Sequence, residues 1–359
     1  MHDIDAQRTS DTSTQRRDGL NDRHHDIGVL GVGGFVPDRV RTNEEVAARA
    51  GVSARWIAER TGVRRRHVAE PGQAASDLAR VAVGRALSSA GLGPDDLDLL
   101  VLATSTPDEL GPSTACRVQA QLNASRAVAF DVSAACSGWL FGTRVAVGWL
   151  RAEGPGSIAA VVGVEAYSHF LNDSDRATAS LFGDGAGATI LGPVAPGSGF
   201  GRIELGSDGR HAGDVLIPAG GSRHPATAET VSGGQHSIHM DGRAVREFIL
   251  EVFPKLAHEA LERSGLAASE IDAVVAHQPN PLLLQQACSQ AGLETDRLVI
   301  IGDDVGNIGA ASVPYALAAA EADGRLSPGD RILIVGFGAG LTWGSTVLTW
   351  GVDGQEPQR

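Results

Sequence analysis

The chain has almost no lysine and few cysteines, and each shortage excludes a class of protein. Its 359 residues include three cysteines and a single lysine, Lys255. Three widely spaced cysteines are too few for a disulfide framework, and none has a partner at the short spacing of a zinc site. Without further lysines, a Walker A loop, a Schiff-base lysine and a Ser-Lys dyad lack their cation. We therefore expect reduced thiols and no bound metal.

Positive charge and long apolar runs are also scarce. The 43 acidic residues outnumber the 30 lysines and arginines, and the resulting charge of −13 repels a polyanion, so we expect no nucleic-acid partner. No segment is long and apolar enough to cross a bilayer, and residues 1–26 lack the apolar core of a secretion signal. The composition predicts a cytoplasmic protein without membrane association, whose residues 1–26 form a flexible tail.

An internal repeat organises the rest of the sequence. Residues 86–107 and 260–279 each combine a helix end, an acidic turn and a buried strand, at an offset of 174 residues. The apolar run at 158–163 also recurs 174 residues later. This agreement indicates two similar halves related by duplication, at about residues 27–196 and 197–359.

The local patterns predict an α/β architecture. Short β-branched runs such as residues 332–337 are apolar at every position, which is typical of strands buried on both faces of a sheet. Residues 77–92 and 245–266 repeat apolar side chains at helical spacing. Strands that alternate with helices form a layered α/β fold. Residues 206–242, rich in Gly, Ser and His, are expected to form an excursion over the surface near the site.

Cys136 lies between a predicted strand, which ends near Val132, and a predicted helix. Free N–H groups and the positive dipole end of a helix stabilise a thiolate, and the small neighbours in Ser-Ala-Ala-Cys-Ser-Gly let a substrate approach. A lone cysteine is otherwise most often a small buried hydrophobe. We interpret Cys116 and Cys288 in that way, and Cys136 as a candidate nucleophile.

His277 and Asn307 are the other candidates, and each also has an ordinary structural explanation. His277 follows the buried run 273–276, at the carboxyl end of a strand, where α/β sheets bind ligands. Asn307 lies in a loop of small residues before a helix, where its amide could donate to an oxygen that gains charge. A structural histidine and a turn-forming asparagine are the alternatives. The repeat favours a shared site, because it places the segments of Asn307 and Cys136 at equivalent ends of the two halves.

Two glycine-rich strings, at 182–187 and 336–341, do not match a dinucleotide-binding fingerprint. Their more common role is close backbone packing around a crevice. A main-chain N–H of the second string could then donate to an oxyanion.

Seven strings in the chain, taken in order, are far more specific than any one of them. They are Pro-Asp-Arg-Val-Arg-Thr-Asn at 37–43, Trp-Ile-Ala-Glu-Arg-Thr-Gly-Val at 56–63, Ser-Ala-Ala-Cys-Ser-Gly at 133–138, Phe-Gly-Asp-Gly-Ala-Gly-Ala at 182–188, His-Gln-Pro-Asn at 277–280, Gly-Asn-Ile-Gly-Ala-Ala-Ser-Val-Pro at 306–314 and Gly-Ala-Gly-Leu-Thr-Trp-Gly at 338–344. From about Ile27 to the C-terminus, the chain resembles the β-ketoacyl-ACP synthase III branch of the thiolase superfamily.

The resemblance implies a thiolase-like fold, with two duplicated α/β halves in α-β-α-β-α layers. It implies that Cys136 accepts the acyl group, that His277 and Asn307 assist, and that the backbone N–H groups of Cys136 and Ala339 form the oxyanion hole. No resident cofactor is implied. The resemblance further implies that acyl-CoA acylates the cysteine and that decarboxylative Claisen condensation with malonyl on acyl carrier protein gives a β-ketoacyl product. The family also implies a homodimer whose sheets join across a two-fold axis.

A coenzyme A site is implied by the same resemblance. Trp56 and Arg176 would hold the adenine between their flat faces, which suit a base. Arg60 would lie near the phosphates, and Asn280 would line the pantetheine tunnel.

The position of Gly111 departs from the family, which often carries a bulky residue there. That residue closes the acyl pocket across the dimer interface, and glycine removes the wall. We predict a primer longer, branched or bulkier than acetyl, with Met240 also lining the pocket.

A second departure concerns the carrier protein. The basic residue that usually follows the His-Gln-Ala-Asn motif and helps dock the carrier is replaced here by Pro281 and Leu282. Arg243 and Arg246 could supply a substitute basic edge.

These departures leave alternatives open, and either fatty-acid or specialised polyketide-type metabolism is compatible with them. An acyltransferase could pass the acyl group to an alcohol, amine or thiol without decarboxylation. A non-catalytic subunit could shape the tunnel of an active partner. Asn307 favours condensation, because the decarboxylating thioester needs both donors, and the intact Cys136 and His277 argue against a scaffold.

Overall fold

The computed structural model describes residues 26–351 and shows an α/β protein built on two five-stranded sheets. The predicted α/β class is confirmed. The predicted tail lies outside the described residues except for Asp26, whose backbone carbonyl accepts a hydrogen bond from the Val194 N–H at 2.9 Å.

Fourteen strands occur in the described part of the chain. They are β1 (Ile27–Phe35), β2 (Val40–Thr42), β3 (Arg65–His67), β4 (Leu99–Ala103), β5 (Val128–Val132), β6 (Ala159–Ala166), β7 (Asp184–Pro193), β8 (Gly199–Phe200), β9 (Glu204–Ser207), β10 (Val215–Leu216), β11 (His239–Met240), β12 (Ala273–Ala276), β13 (Arg331–Gly338) and β14 (Thr342–Thr349).

Eleven α-helices accompany them between residues 26 and 351. They are α1 (Asn43–Ala50), α2 (Ala54–Thr61), α3 (Ala75–Ser89), α4 (Thr114–Leu122), α5 (Gly138–Glu153), α6 (Arg176–Ala179), α7 (Ala228–Ser232), α8 (Gly242–Ser264), α9 (Pro281–Gln290), α10 (Gly302–Val305) and α11 (Ser312–Ala322). None of these described helices has the length and apolar character needed to cross a membrane.

The two sheets share a strand pattern. The first sheet has the spatial order β1-β7-β6-β4-β5, and the second joins β12, β13 and β14 to the short strands β8 and β9. In the first sheet, β4 and β6 are parallel and β7 is antiparallel to β6. The second sheet has the same arrangement, because β12 and β13 are parallel and β14 is antiparallel to β13. The apolar runs at 158–163 and 332–337 therefore lie in equivalent strands. The boundary between residues 196 and 197 stays a prediction.

Alternate side chains of the central strands enter different cores, because successive residues of a strand point to opposite faces. Val161 of β6 packs between the two sheets with α5 and α11, whereas Val162 packs against α3 and α4. Ile334 of β13 also faces the central core, and Leu333 faces α8 and α9. The result is five layers, in the order helices, first sheet, central helices, second sheet, helices.

The two helices predicted from apolar spacing are confirmed with shifted ends. α3 begins two residues before position 77, where the Asp77 carboxylate accepts the Ala74 N–H at 2.9 Å. α8 begins at Gly242, because Asp241 Oδ1 accepts the N–H groups of Arg243 and Ala244, both at 3.0 Å. It ends before Gly265, whose φ of +68° a helix cannot continue.

The glycine-rich segment 206–242 forms a cover over one end of the sheets. Its strands β10 and β11 pair as a small antiparallel ribbon. Ile238 packs with Tyr167 and Phe182 in a small apolar cluster, to which Met240 adds. The segment therefore reaches the side chains that surround Cys136.

Candidate active site

A cavity of about 640 Å³ lies under this cover and is walled by segments from both sheets. Nine of the ten residues predicted for catalysis or substrate binding line it. They are Trp56, Arg60, Cys136, Arg176, Met240, His277, Asn280, Asn307 and Ala339. Between residues 26 and 351, no three His, Cys, Asp or Glu side chains are close enough together to hold a metal ion.

Cys136 lies in a tight turn between β5 and α5. A 3₁₀ turn at Ala135–Ser137 leads into the helix, and Ala135 adopts a φ of +46°, which is uncommon for a residue with a side chain. Ser137 Oγ lies 2.8 Å from the Ala134 carbonyl and 2.9 Å from Thr342 Oγ1. These contacts hold the strained turn in place, so that the cysteine faces the cavity.

The second glycine-rich loop packs directly against this turn. A methyl group at Gly338 would lie 2.6 Å from the Cys136 backbone nitrogen and 3.1 Å from that of Ser137. Glycine is therefore required for the close approach. It brings Ala339 to the cavity wall beside the backbone N–H of the cysteine.

His277 follows the carboxyl end of β12, as predicted, and its side chain is buried. Its backbone N–H donates to the Val335 carbonyl at 3.0 Å, and its ring meets the Phe337 ring edge-on, with centroids 5.1 Å apart. Burial lowers the pKa of His277 to about 3, and a hydrogen bond to the backbone of Gly309 partly opposes this shift. The imidazole is therefore neutral at physiological pH, and its Nδ1 has no partner among the described residues.

Asn307 is clamped on both sides by backbone contacts. Its N–H donates to the Leu181 carbonyl at 2.8 Å, and its carbonyl accepts from Gly183 at 3.0 Å. The side-chain oxygen accepts the Gly309 N–H at 2.9 Å. Because a backbone N–H can only donate, this bond fixes the amide so that its NH₂ group is left as a donor.

Cys136 is a neutral thiol in the resting site, which corrects the thiolate expected from the sequence. Burial raises the pKa of Cys136 to about 12, and the nearby Glu165 adds to the shift. Hydrogen bonds from the Tyr167 hydroxyl and from the backbone oppose it but are outweighed. The surrounding protein therefore disfavours a charged sulfur more than the helix N-terminus favours it.

Glu165 and Tyr167 were not identified from the sequence. Glu165 lies near the end of β6 and Tyr167 directly follows this strand. Tyr167 Oη lies 3.9 Å from Cys136 Sγ. Glu165 is fully buried behind it. One signal was available, since an acidic residue at the end of an otherwise apolar strand has the same placement as His277 at the end of β12.

Arginines and an indole surround the outer part of the cavity. α2 carries Trp56 and Arg60 on successive turns, and the Arg176 guanidinium lies 5.6 Å from the centre of the Trp56 ring. Asn280 caps α9 by accepting the Leu283 N–H at 2.8 Å, which turns its side chain toward the helix start. The mouth is thus positively charged and offers a flat stacking surface.

Two predicted features lie elsewhere. Gly111 is exposed, does not line the cavity of its own chain, and has open space around the position of a side chain. Cys288 is buried as expected, but Cys116 is exposed, because it lies on the outer face of α4. The interpretation of Cys116 as a buried hydrophobe is therefore wrong.

Family models match both halves of the chain. The model described as 3-oxoacyl-[acyl-carrier-protein (ACP)] synthase III matches residues 130–209, which include Cys136. The model described as its C-terminal part matches residues 261–350, which include His277 and Asn307.

Relatives and solved structures are similar over nearly the whole chain. A β-ketoacyl-[acyl-carrier-protein] synthase III from Desulfitobacterium hafniense is 42% identical over 328 residues, which are 91% of this chain and 99% of the relative. The crystal structure of 3-oxoacyl-(acyl carrier protein) synthase III from Pseudomonas aeruginosa has a TM-score of 0.83 and 39% identity, with 91% and 99% of the two chains covered. The priming β-ketosynthase of the R1128 polyketide pathway has a TM-score of 0.83 and 31% identity, with 93% and 99% covered.

Proposed function

Because the chain belongs to the β-ketoacyl-[acyl-carrier-protein] synthase III family, we propose that it forms a β-ketoacyl product in two stages at Cys136, His277 and Asn307. Membership makes it an acyl-transferring condensing enzyme with a thiolase-like fold, of the kind that serves fatty-acid and polyketide biosynthesis. The convergence of these three side chains on one cavity is the observation that carries the residue assignment.

In the first stage, the Cys136 sulfur attacks the thioester carbonyl of an acyl-CoA and expels coenzyme A. The backbone N–H groups of Cys136 and Ala339 stabilise the tetrahedral oxyanion. The close packing at Gly338 supports this role, because it holds the two backbone segments side by side. Since the resting sulfur is protonated, attack requires that its proton be removed.

In the second stage, malonyl on acyl carrier protein loses carbon dioxide, and the resulting enolate attacks the acyl-cysteine. His277 and Asn307 donate hydrogen bonds to the enolate oxygen. The neutral imidazole carries one N–H, and His277 donates to the enolate in the tautomer that places this N–H on the ring nitrogen facing the thioester oxygen, while the fixed amide presents its NH₂ group. Two buried donors held in fixed positions stabilise the developing charge more strongly than water would.

The mouth binds the nucleotide part of coenzyme A. Trp56 and Arg176 present stacking faces for the adenine, Arg60 adds positive charge for the phosphates, and Asn280 lines the channel for the pantetheine arm. Coenzyme A is here a substrate, and the reaction uses no resident cofactor.

The primer is larger than acetyl. The position of Met240 in the cavity wall and the open space at Gly111 support this proposal. Gly111 can reach an acyl pocket only in a second copy of the chain, because it lies outside its own. In Gly111→Phe, acylation by bulky acyl-CoAs should fall while acylation by acetyl-CoA is retained; unchanged activity on bulky groups would contradict the proposal.

The chain forms a homodimer through the edge strand β5. This strand ends the first sheet, and its Val128 is 47% exposed, which leaves an unpaired edge that a second copy can extend. Analytical ultracentrifugation should give twice the mass of one chain. A monomer at micromolar concentration would contradict the proposal.

The carrier protein docks at the cavity mouth on a basic edge that differs from the usual one. Leu282 lies at the mouth and is 42% exposed, while Arg246 lines the cavity and donates to Gln286 at 3.1 Å. Arg243 is instead paired with Glu247. Arg246→Ala should therefore weaken condensation with malonyl on carrier protein more than Arg243→Ala does.

One experiment tests the whole scheme. The protein is incubated with a panel of acyl-CoAs, its intact mass is recorded, and malonyl on acyl carrier protein is then added. We expect a mass increase on Cys136, followed by release of carbon dioxide and a β-ketoacyl product. Acylation without carbon dioxide release would indicate simple acyl transfer, and no acylation would overturn the proposal.

A further inference from the structure

Glu165 is a fully buried carboxylate that the two stages above do not use. The groups that face it from the segment after β4 are neutral, with Thr106 Oγ1 at 2.9 Å and the Ser105 N–H at 3.1 and 3.2 Å from its two oxygens. From the segment before α11 it faces the Ala310 N–H at 3.4 Å. No lysine, arginine or histidine within residues 26–351 forms an ion pair with it. Burying an unpaired acid is unfavourable, so its presence beside the nucleophile calls for a function.

Tyr167 joins this carboxylate to the nucleophile. Its hydroxyl lies 3.9 Å from Cys136 Sγ, and its interaction with Glu165 lowers the pKa of that carboxyl. Its ring is fixed by edge-on contact with Phe182, with centroids 4.8 Å apart. The hydroxyl therefore lies beside the sulfur, and the acid lies on the same side of Gly309 as the hydroxyl.

Gly309 makes this arrangement possible. A methyl group at that position would lie 2.4 Å from Tyr167 Oη and 2.8 Å from Glu165 Cγ. The same residue binds the side chain of Asn307 and contacts His277. The backbone at Gly309 thus separates the two donors on one side from the tyrosine and the acid on the other.

We propose that Tyr167 transfers the Cys136 proton to Glu165 during acylation, an inference that rests on the proposed function of Cys136. As the S–H bond breaks, its proton passes to Tyr167 Oη, and the tyrosine's own proton passes to a Glu165 oxygen. The sulfur electron pair forms the bond to the thioester carbon, and the carbonyl π pair moves to the oxygen. When the adduct collapses, the bond to the coenzyme A sulfur breaks, and the proton returns through Tyr167 to that thiolate.

The relay moves a negative charge without adding one to the buried site. Before transfer the charge is on Glu165, and afterwards it is on the sulfur and then on the thioester oxygen. Transfer to the imidazole would instead create two new charges in a desolvated pocket, which costs more. Burial also favours Glu165 over His277 as the acceptor of the proton. It raises the pKa of Glu165 from 4.5 to about 7 and lowers the pKa of His277 to about 3. A base whose pKa is near the working pH is the most effective.

The test separates the two stages with Tyr167→Phe and Glu165→Gln. Single-turnover acylation by butyryl-CoA, or by the best primer of the panel, is followed from pH 5.5 to 8.5. In the unaltered protein the rate should rise with a midpoint near pH 7. Each variant should acylate about 10- to 100-fold more slowly at pH 7.5 and lose this rise, as expected when one proton-transfer group is removed. Condensation that starts from pre-acylated protein should keep its rate.

Tyr315→Phe is the matched control, because it removes the same oxygen from the only other tyrosine, which lies on α11 outside the cavity. It should leave both stages unchanged. If Glu165→Gln fails to fold, Tyr167→Phe decides, since it keeps the ring. Acylation at the unaltered rate and pH dependence in the variants would overturn the relay alone. An equal loss in both stages would also overturn it and indicate a structural role. If the unaltered protein takes up no acyl group, the proposed function fails and the relay fails with it.

Discussion

The inner end and the mouth of the cavity obtain their properties in opposite ways. At the mouth, Trp56 is half-buried and Arg60 and Arg176 are exposed, so their charges stay solvated. At the inner end, His277 and Glu165 are buried. Desolvation lowers the pKa of His277 and raises the pKa of Glu165, which favours the neutral form of each side chain. In the proposed mechanism, charge therefore dominates recognition at the mouth, whereas the loss of water dominates the chemistry inside.

This difference separates binding from reaction. An exposed cation over an aromatic ring contributes modestly and is screened by salt. A buried donor or acid has no water to replace its partners, so each change there affects the reaction strongly. Substitutions at the inner end should therefore have larger effects and should slow the reaction itself. Substitutions at the mouth should have smaller effects, mainly on the KM for acyl-CoA.

The largest effect is expected at the nucleophile. Cys136→Ala should abolish covalent acylation, because no other group at the inner end can form the thioester. Intact-mass spectrometry with acyl-CoA provides the measurement. Cys116→Ala, which removes an exposed sulfur outside the cavity, is the matched control and should acylate normally. Acylation of the Cys136→Ala protein would place the nucleophile elsewhere.

The sequence predicts which residues line this cavity better than it predicts their protonation. Cys136 and His277 could be located because each follows the carboxyl end of a predicted strand, where α/β sheets bind ligands. The α/β layers follow equally from the runs at 158–163 and 332–337. The burial of the side chains at the inner end could not be predicted, because it depends on how the two halves pack together. The neutral thiol of Cys136 and the burial of Glu165 therefore required the three-dimensional structure.

Gly309→Ala should disturb the inner end while leaving the mouth intact. The new methyl group would meet Tyr167 and Glu165 at 2.4 and 2.8 Å, at a φ of +52°. We expect a loss of at least about 2 kcal/mol in the free energy of unfolding, because overpacking and an unfavourable φ both act. Gly265→Ala is the control, since its φ is +68° but no atom lies within 4 Å of the added carbon. Equal losses in urea denaturation would show that the contacts at Gly309 do not matter.

Glu165→Gln should change how stability depends on pH. The pKa of Glu165 is about 7 in the folded chain and near 4.5 when exposed. Because the pKa is higher in the folded chain, the unfolded chain loses the Glu165 proton first as pH rises. The contribution of Glu165 to the free energy of unfolding is therefore fully present below pH 4.5 and is lost as pH rises through 7. The loss is about 3 kcal/mol. An amide does not titrate, so the variant should gain stability relative to the unaltered protein across this interval.

Denaturation midpoints measured from pH 4.5 to 8 check this prediction. Glu59→Gln, at an exposed position on α2, is the control for replacing a carboxyl by an amide. A constant difference between the Glu165→Gln and unaltered proteins would mean that Glu165 does not titrate in this range.

The smallest effect is expected at the mouth. Arg176→Ala should raise the KM for acyl-CoA about 10-fold through loss of one stacking cation, and kcat should be unchanged because the inner end is untouched. A matching acyl-pantetheine, which lacks the adenosine, should show no difference between the two proteins. Arg55→Ala is the control, since Arg55 lies on the same helix as Trp56 but outside the cavity. A fall in kcat with an unchanged KM would mean that the mouth and the inner end are coupled, and their contrast would then not describe how this enzyme works.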